Sequence, residues 1–131
     1  MLYQYTLKTQ KEEFVSITAQ VKGAIAESGV KDGICVVYSP HTTAGITINE
    51  NADPDVQTDL LLAYAKAFPD RREFRHSEGN SAAHAKASAM GCSATLIIEN
   101  GKPLLGIWQN IYFCEFDGPR VRKFYVKIMG E

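Results

Sequence analysis

The chain has 131 residues, 45% apolar and 22% charged, which fits one globular domain built on one core. Its 14 basic and 15 acidic residues leave a net charge of -1, so nothing electrostatic points to nucleic acid or a membrane surface. No apolar run approaches the ~20 residues of a membrane span, the N-terminus MLYQYTLKT alternates instead of forming a signal-peptide core, and three cysteines without a CxxC read as buried free thiols; together these predict a cytoplasmic protein.

In chain order, Leu2, Tyr3, Tyr5 and Leu7 predict a strand over 2–9. Phe14, Val15 and Ile17 make a second, short one. Thr18 can cap a helix whose core face carries Val21 and Ile25, and Gly29 can close it. The unbroken apolar run Ile34–Tyr38 suits a strand covered on both faces. Pro40 stops it, and Ala44 to Asn49 reads as the returning strand. Asp53-Pro54 is a helix start. That helix runs to about Ala67, with so little polar surface that burial on most sides is expected. Arg71 to Asn80 is a polar loop. Ser81 can cap a short helix of small residues over 81–90, closed by Gly91. Ser93 to Ile98 is a strand, Asn100-Gly101 a turn, and Leu104 to Phe116 a long strand in which Trp108 reads as core. After Asp117-Gly118-Pro119, Val121 to Ile128 alternates and pairs naturally with the strand before it. Eight strands and three helices, with the late strands consecutive, give an α+β class with an antiparallel or mixed sheet.

The polar residues concentrate between Ser39 and Asp59, at the mouth of a strand, where burial without partners is costly. His41 centres that stretch, and His76 and His84 are the only other histidines. Three imidazoles could hold Zn²⁺ and leave a fourth position open, although the spacing matches no HxH or HExxH pattern. Imidazolium groups beside helix N-terminal N–H groups could equally make a phosphate site. Glu115, between Cys114 and Phe116, needs a cation or metal, and Arg120 or Arg122 can supply the former. Asn49 and Asn80 can orient a ligand, Thr42 and Thr43 can donate to an anion, and Glu50 is a further acidic candidate. Gln109 is hard to place in a core. No GxGxxG, GxxxxGK[ST] or GxSxG occurs, which argues against dinucleotide, P-loop and α/β-hydrolase chemistry.

HTTAGITINENADP from His41, the spaced His76, Asn80 and His84, Gly91-Cys92-Ser93, GIWQ from Gly106 to Gln109 and EFDGPR from Glu115 to Arg120 together resemble the YjbQ-like family, whose members are often labelled secondary thiamine-phosphate synthase. The resemblance spans nearly the whole chain. It implies an α+β fold with sheets packed around helices in a single domain, 1–131. It also implies a homotrimer with sites near subunit boundaries. The implied catalytic group is His41, His76, His84 and Glu115, with Thr42, Thr43, Asn49, Glu50, Asn80, Gln109 and Arg120 binding a phosphorylated small molecule. The three histidines would hold the anionic group with or without a divalent metal, zinc first and magnesium or manganese next. The implied reaction joins a hydroxymethylpyrimidine diphosphate to a thiazole phosphate. A metal-dependent hydrolase and a non-enzymatic trimeric metabolite-binding protein are the competing readings. Ile107 departs from the family's pattern, which usually has a polar residue there.

Overall fold

Alternating side chains at the N-terminus form β1 (Leu2–Lys8), as a period of two demands. The order is then β2 (Glu13–Ser16), α1 (Thr18–Ser28), β3 (Gly33–Tyr38), β4 (Ala44–Glu50), α2 (Pro54–Ala67), α3 (Ser81–Met90), β5 (Ser93–Glu99), β6 (Lys102–Pro103), β7 (Gln109–Glu115) and β8 (Val121–Gly130). The structure, a computed structural model, describes residues 1–131. Its eight strands and three helices form the expected α+β class. Every strand pairing is antiparallel, in a five-stranded sheet ordered β1-β8-β3-β5-β6 and a three-stranded sheet ordered β2-β7-β4. No helix is long and apolar enough to cross a membrane.

The inner faces of both sheets share one core with α1, in which Val21, Ile25, Val37, Ile46, Phe113 and Phe124 are buried. The other face of the three-stranded sheet packs on the remaining helices. There Tyr112, Cys114 and Phe116 meet Ala83 and Ala87 of α3, with Leu61 and Tyr64 of α2 beside them. β7 is therefore covered on both faces, and residues 110–115 are all buried. That role was expected of β3. In β3 only Cys35 and Val37 face the core, while Ile34 and Tyr38 are 38% and 43% exposed. The reason is that β3 lies between β8 and β5 in a sheet with one open face.

Four further expectations give way to the chain's passage between sheets. The long strand from Leu104 is broken, because the Gly106 N–H donates to Gln109 Oε1 (2.8 Å) and the Gln109 N–H returns to the Gly106 carbonyl (3.0 Å). That turn leaves Trp108 60% exposed, outside the core. β4 does not return along β3 but pairs with β7, Ile46 opposite Phe113. β8 does not pair with β7 but lies between β1 and β3, with Leu7 opposite Arg122 and Val37 opposite Val126.

Helix ends follow the sequence more closely. Asp53 caps α2 by accepting the Asp55 N–H at 2.9 Å, with Pro54 in the first turn. Gly29 ends α1 in the left-handed region, φ 73°. Yet α2 buries no residue fully, and Leu62 is 55% exposed: only the Leu61 and Tyr64 stripe finds a partner. Thr18 is the first residue of α1, not its cap. Its hydroxyl accepts the Ile111 N–H (2.9 Å) and bonds Asn110 Oδ1, which ties α1 to β7. Ser81 likewise lies inside α3, whose N-cap residue is Asn80. All three cysteines are free, but Cys92 is exposed; burial pushes the Cys35 thiol up to about 11 and Cys114 upward too.

Gly23 of α1 is exposed, and a Cβ there would meet nothing within 4 Å. Gly23→Ala is expected to raise stability by roughly 0.5–1 kcal/mol, read as a higher urea midpoint at unchanged slope.

Candidate functional site

Three segments that are distant in sequence converge at one end of the molecule. The joint between β3 and β4 brings His41, Thr42 and Thr43. The loop before α3 and that helix's first turn bring His76, Asn80 and His84. The residues after β7 bring Arg120 and Arg122. They enclose a cleft of about 420 Å³ whose ten lining residues all have polar side chains except Pro40.

The cleft is built on a buried ion pair. Glu115 is fully buried. Arg122 grips it with both arms of the guanidinium, Nε to Oε1 at 2.7 Å and one Nη to Oε2 at 2.6 Å. Thr9 donates to Oε1 (2.6 Å) and the Asp117 N–H to Oε2 (2.9 Å), so both oxygens are fully used. Burial pushes the Glu115 carboxyl up, but Arg122, Thr9 and the Asp117 N–H outweigh it and hold the group below its usual 4.5. Arg122 also donates to the Thr43 hydroxyl at 2.8 Å, which fixes the segment next to His41. Glu115 and Thr43 thus set the cleft's shape, and no oxygen of Glu115 is left for substrate.

Arg120 is half exposed and holds Asp117 through its Nε to the carbonyl (2.7 Å) and one Nη to Oδ2 (3.0 Å). Its remaining N–H groups have no partner in the protein. Asn80 donates to the same Asp117 oxygen at 2.7 Å, which fixes the amide's orientation and leaves Asn80 Oδ1 sealed without a donor. Burial raises the Asp117 pKa, and Asn80 and Arg120 more than reverse it, so the carboxyl titrates below its usual 3.8. α3 begins here with no acidic residue in its first turn and no side-chain cap; the Ala83 and His84 N–H groups bond the Asn80 carbonyl, while those of Ser81 and Ala82 have no partner.

The histidines differ from one another. His76 and His84 lie edge to face, ring centroids 5.4 Å apart, and His76 Nε2 is 3.7 Å from Glu78. His41 is half-buried and its Nε2 accepts the Lys123 backbone N–H at 3.0 Å. That bond assigns the neutral ring's proton to Nδ1, which makes no bond within the protein. Burial lowers the His41 pKa from 6.5, and the Arg122 guanidinium lowers it further. Below pH 6.5 the folded chain then binds fewer protons at this ring than the unfolded chain. This contribution to stability is present above that pH and lost as the pH falls. A proton-detected titration of the three rings should find His41 with a midpoint below 6.5 and its neutral form protonated on Nδ1.

A second hollow, about 470 Å³, meets the first across His41, Thr42 and His84. Beyond them it is lined by Ala44, Ala87, Ser88, Gly91 and Cys92. This lobe was not anticipated from sequence, whereas Arg122 was expected beside Arg120 as a cation for Glu115. It occupies the inward phase of β8 alongside Phe124, Val126 and Ile128.

Asn49, Glu50 and Gln109 do not reach the cleft. Glu50 ends β4 opposite Gln109, roughly 20 Å along the strand from Ala44. Its carbonyl accepts from the Tyr112 hydroxyl at 2.8 Å, while Gln109 closes its own turn. Lys86 is buried on α3 and paired with Glu12 at 3.3 Å.

The expected three-histidine metal centre is corrected. No group of three or more His, Cys, Asp or Glu is arranged to hold a metal ion. A metal on His41 Nε2 would have to displace the Lys123 N–H. One on Nδ1 would send the ring proton to Nε2, against that same N–H. The metal-dependent hydrolase loses its basis with it.

These features define an α+β protein of two antiparallel sheets with an arginine- and histidine-lined cleft where β3 hands over to β4. The chain belongs to the YjbQ-like family: the family model described as UPF0047 protein YjbQ-like matches residues 3–131. It is 60% identical to UPF0047 protein MJ1081 of Methanocaldococcus jannaschii, over 100% of this chain and 96% of that one. It is 52% identical to UPF0047 protein YugU of Bacillus subtilis, over 99% and 100%. A crystal structure of an uncharacterized conserved protein from Clostridium acetobutylicum superposes with a TM-score of 0.94 at 60% identity, covering 97% of this chain and 99% of that one. A YbjQ-like protein of unknown function from Sulfolobus solfataricus gives 0.95 at 33% identity, covering 100% and 97%. These relatives are named by family alone, and none of them is named a thiamine-phosphate synthase. The thiamine-phosphate synthase expectation is corrected accordingly.

Proposed function

We propose that the cleft binds the oxyanion of a small phosphorylated metabolite. The observation that carries this reading is the set of uncommitted donors around one polar hollow. They are the spare N–H groups of Arg120, the Nδ1–H of His41, and the Ser81 and Ala82 N–H groups that open α3. Guanidinium groups, imidazole N–H groups and helix N-termini are the donors that suit phosphate oxygens. His84 and His76 stand beside them, where either ring can donate to the same anion.

Calorimetric titration with inorganic phosphate tests the reading. Saturable binding is expected, weakened roughly tenfold or more in Arg120→Ala, because a hydrogen bond to a charged group contributes about 1.5–3 kcal/mol. The half-exposed Arg120–Asp117 pair adds little to stability, so the variant should fold normally. Absence of binding, or equal affinity in the variant, would contradict the proposal.

The same proposal extends to assembly and location. The open face of the five-stranded sheet exposes Leu2, Ile34, Tyr38, Ile97 and Met129, a surface that neighbouring copies in a homotrimer would cover. Light scattering should then give a mass near three times 14.5 kDa. Three free thiols suit a reducing compartment, and we assign the protein to the cytoplasm.

A further inference from the structure

We infer that the ligand is a phosphate monoester carrying a small apolar arm, and that the hollow beside α3 receives that arm. This rests on the oxyanion reading above and adds the other half of the molecule. The two lobes differ in chemistry. The first has no apolar side chain other than Pro40, whereas the second is floored by Ala44, Ala87 and Gly91. Their linings share His41, Thr42 and His84, so an oxyanion held at Arg120 in the first hollow lies next to the second. With volumes of about 420 and 470 Å³, each hollow is larger than an inorganic ion needs and lies in the range of small-molecule sites.

The second lobe is open because of the residues that build it. Gly45 of β4 lies so close to α3 that a Cβ would come within 2.6 Å of the Gly91 carbonyl, and the Gly91 carbonyl accepts the Ile46 N–H at 3.1 Å. The strand and the end of the helix are thus locked together beneath the lobe. Above that floor a Cβ at Gly91 would meet nothing within 4 Å, and Ser88 and Cys92 are short and exposed. A hollow with a rigid backbone on one side and small side chains around it leaves room for a small apolar arm. Beyond the shared His41, Thr42 and His84, its lining is small and largely apolar, Ala44, Ala87 and Gly91 with one hydroxyl and one thiol.

The test compares inorganic phosphate, methyl phosphate and phenyl phosphate in calorimetric titrations of the full chain. Each buried methylene is worth roughly fourfold in affinity. Phenyl phosphate is therefore expected to bind roughly tenfold or more tightly than inorganic phosphate, with methyl phosphate between them. Ser88→Leu, which fills the hollow from an exposed position, should bring the phenyl-to-phosphate affinity ratio down to about one. Cys92→Trp, from the other wall, should do the same and serves if the first variant folds poorly. Arg120→Ala should weaken all three probes together and leave the ratio standing. If inorganic phosphate binds and phenyl phosphate is no better, the apolar arm is refuted while the oxyanion site survives. A phenyl advantage that persists in both the Ser88 and the Cys92 variants also overturns it. If no probe binds, the oxyanion reading falls and takes this inference with it.

Discussion

Arg122→Ala is expected to cost about 3–5 kcal/mol of folding stability at neutral pH, the largest loss from any single substitution considered for this chain. The variant leaves Glu115 with no cation in a site that is fully buried, so the carboxylate keeps its desolvation penalty and loses its counter-charge. Thr43 loses a hydrogen-bond partner as well. The pH dependence identifies the cause. In the parent, the Glu115 carboxyl titrates below 4.5, so the stability it contributes is present above that pH and lost as the pH falls through the lowered value. In the variant the isolated carboxylate is driven the other way and protonates more readily. The deficit between parent and variant should therefore be largest near pH 7 and shrink towards pH 4.5. Adding Glu115→Gln to the variant should recover part of the loss at neutral pH, because a neutral amide removes the buried charge and still accepts one hydrogen bond. Urea unfolding at several pH values measures all three. A deficit under about 1 kcal/mol that does not vary with pH would refute this role for the pair.

Gly45→Ala carries the second largest expectation, a loss of about 2–4 kcal/mol with weakened phosphate binding. The new Cβ would fall 2.6 Å from the Gly91 carbonyl and 3.1 Å from Met90 Cγ. The methionine can move, but the carbonyl belongs to the helix terminus and is bonded to Ile46, so β4 and α3 must separate. Because the same separation displaces His84 and Asn80 relative to His41, stability and binding should fall together. Gly23→Ala, a glycine with open space around it, provides the contrast. A Gly45→Ala protein with parental stability and binding would show that the strand and helix do not set the cleft.

The elements were legible where local chemistry decides them. Asp53-Pro54, Gly29 and Asn100-Gly101 mark ends and turns by capping and left-handed conformation, and each falls where the sequence puts it. Partnership between elements was not legible. Nothing local distinguishes the Ile34–Tyr38 run, open on one face, from β7, which is sandwiched. Nothing local shows that β8 crosses to the other sheet instead of folding back on β7, since an alternating strand can pair with any edge. α2 was over-buried for the same reason: its apolar residues circle the helix, but only one stripe meets the sheet. Of the site, His41, His76, His84, Asn80, Thr42, Thr43 and Arg120 were all named from the sequence, the histidines, Asn80 and the threonines as candidate ligand contacts and Arg120 as a cation for Glu115, and they share one cleft. Asn49, Glu50 and Gln109 drew the same reading for the same reason, yet they lie at the far end of β4 and β7. Polarity marks a residue as needing partners without saying which ones.

Titrating inorganic phosphate into isotopically labelled protein, and following backbone and histidine resonances, bears most directly on the central claim. If the cleft is one oxyanion site, signals from His41, Asn80, Ser81, His84 and Arg120 should move together along a single saturation curve, while those of Asn49, Glu50 and Gln109 stay in place. Resonances that shift at the Glu50–Gln109 end instead, or site residues that respond with unrelated midpoints, would contradict it.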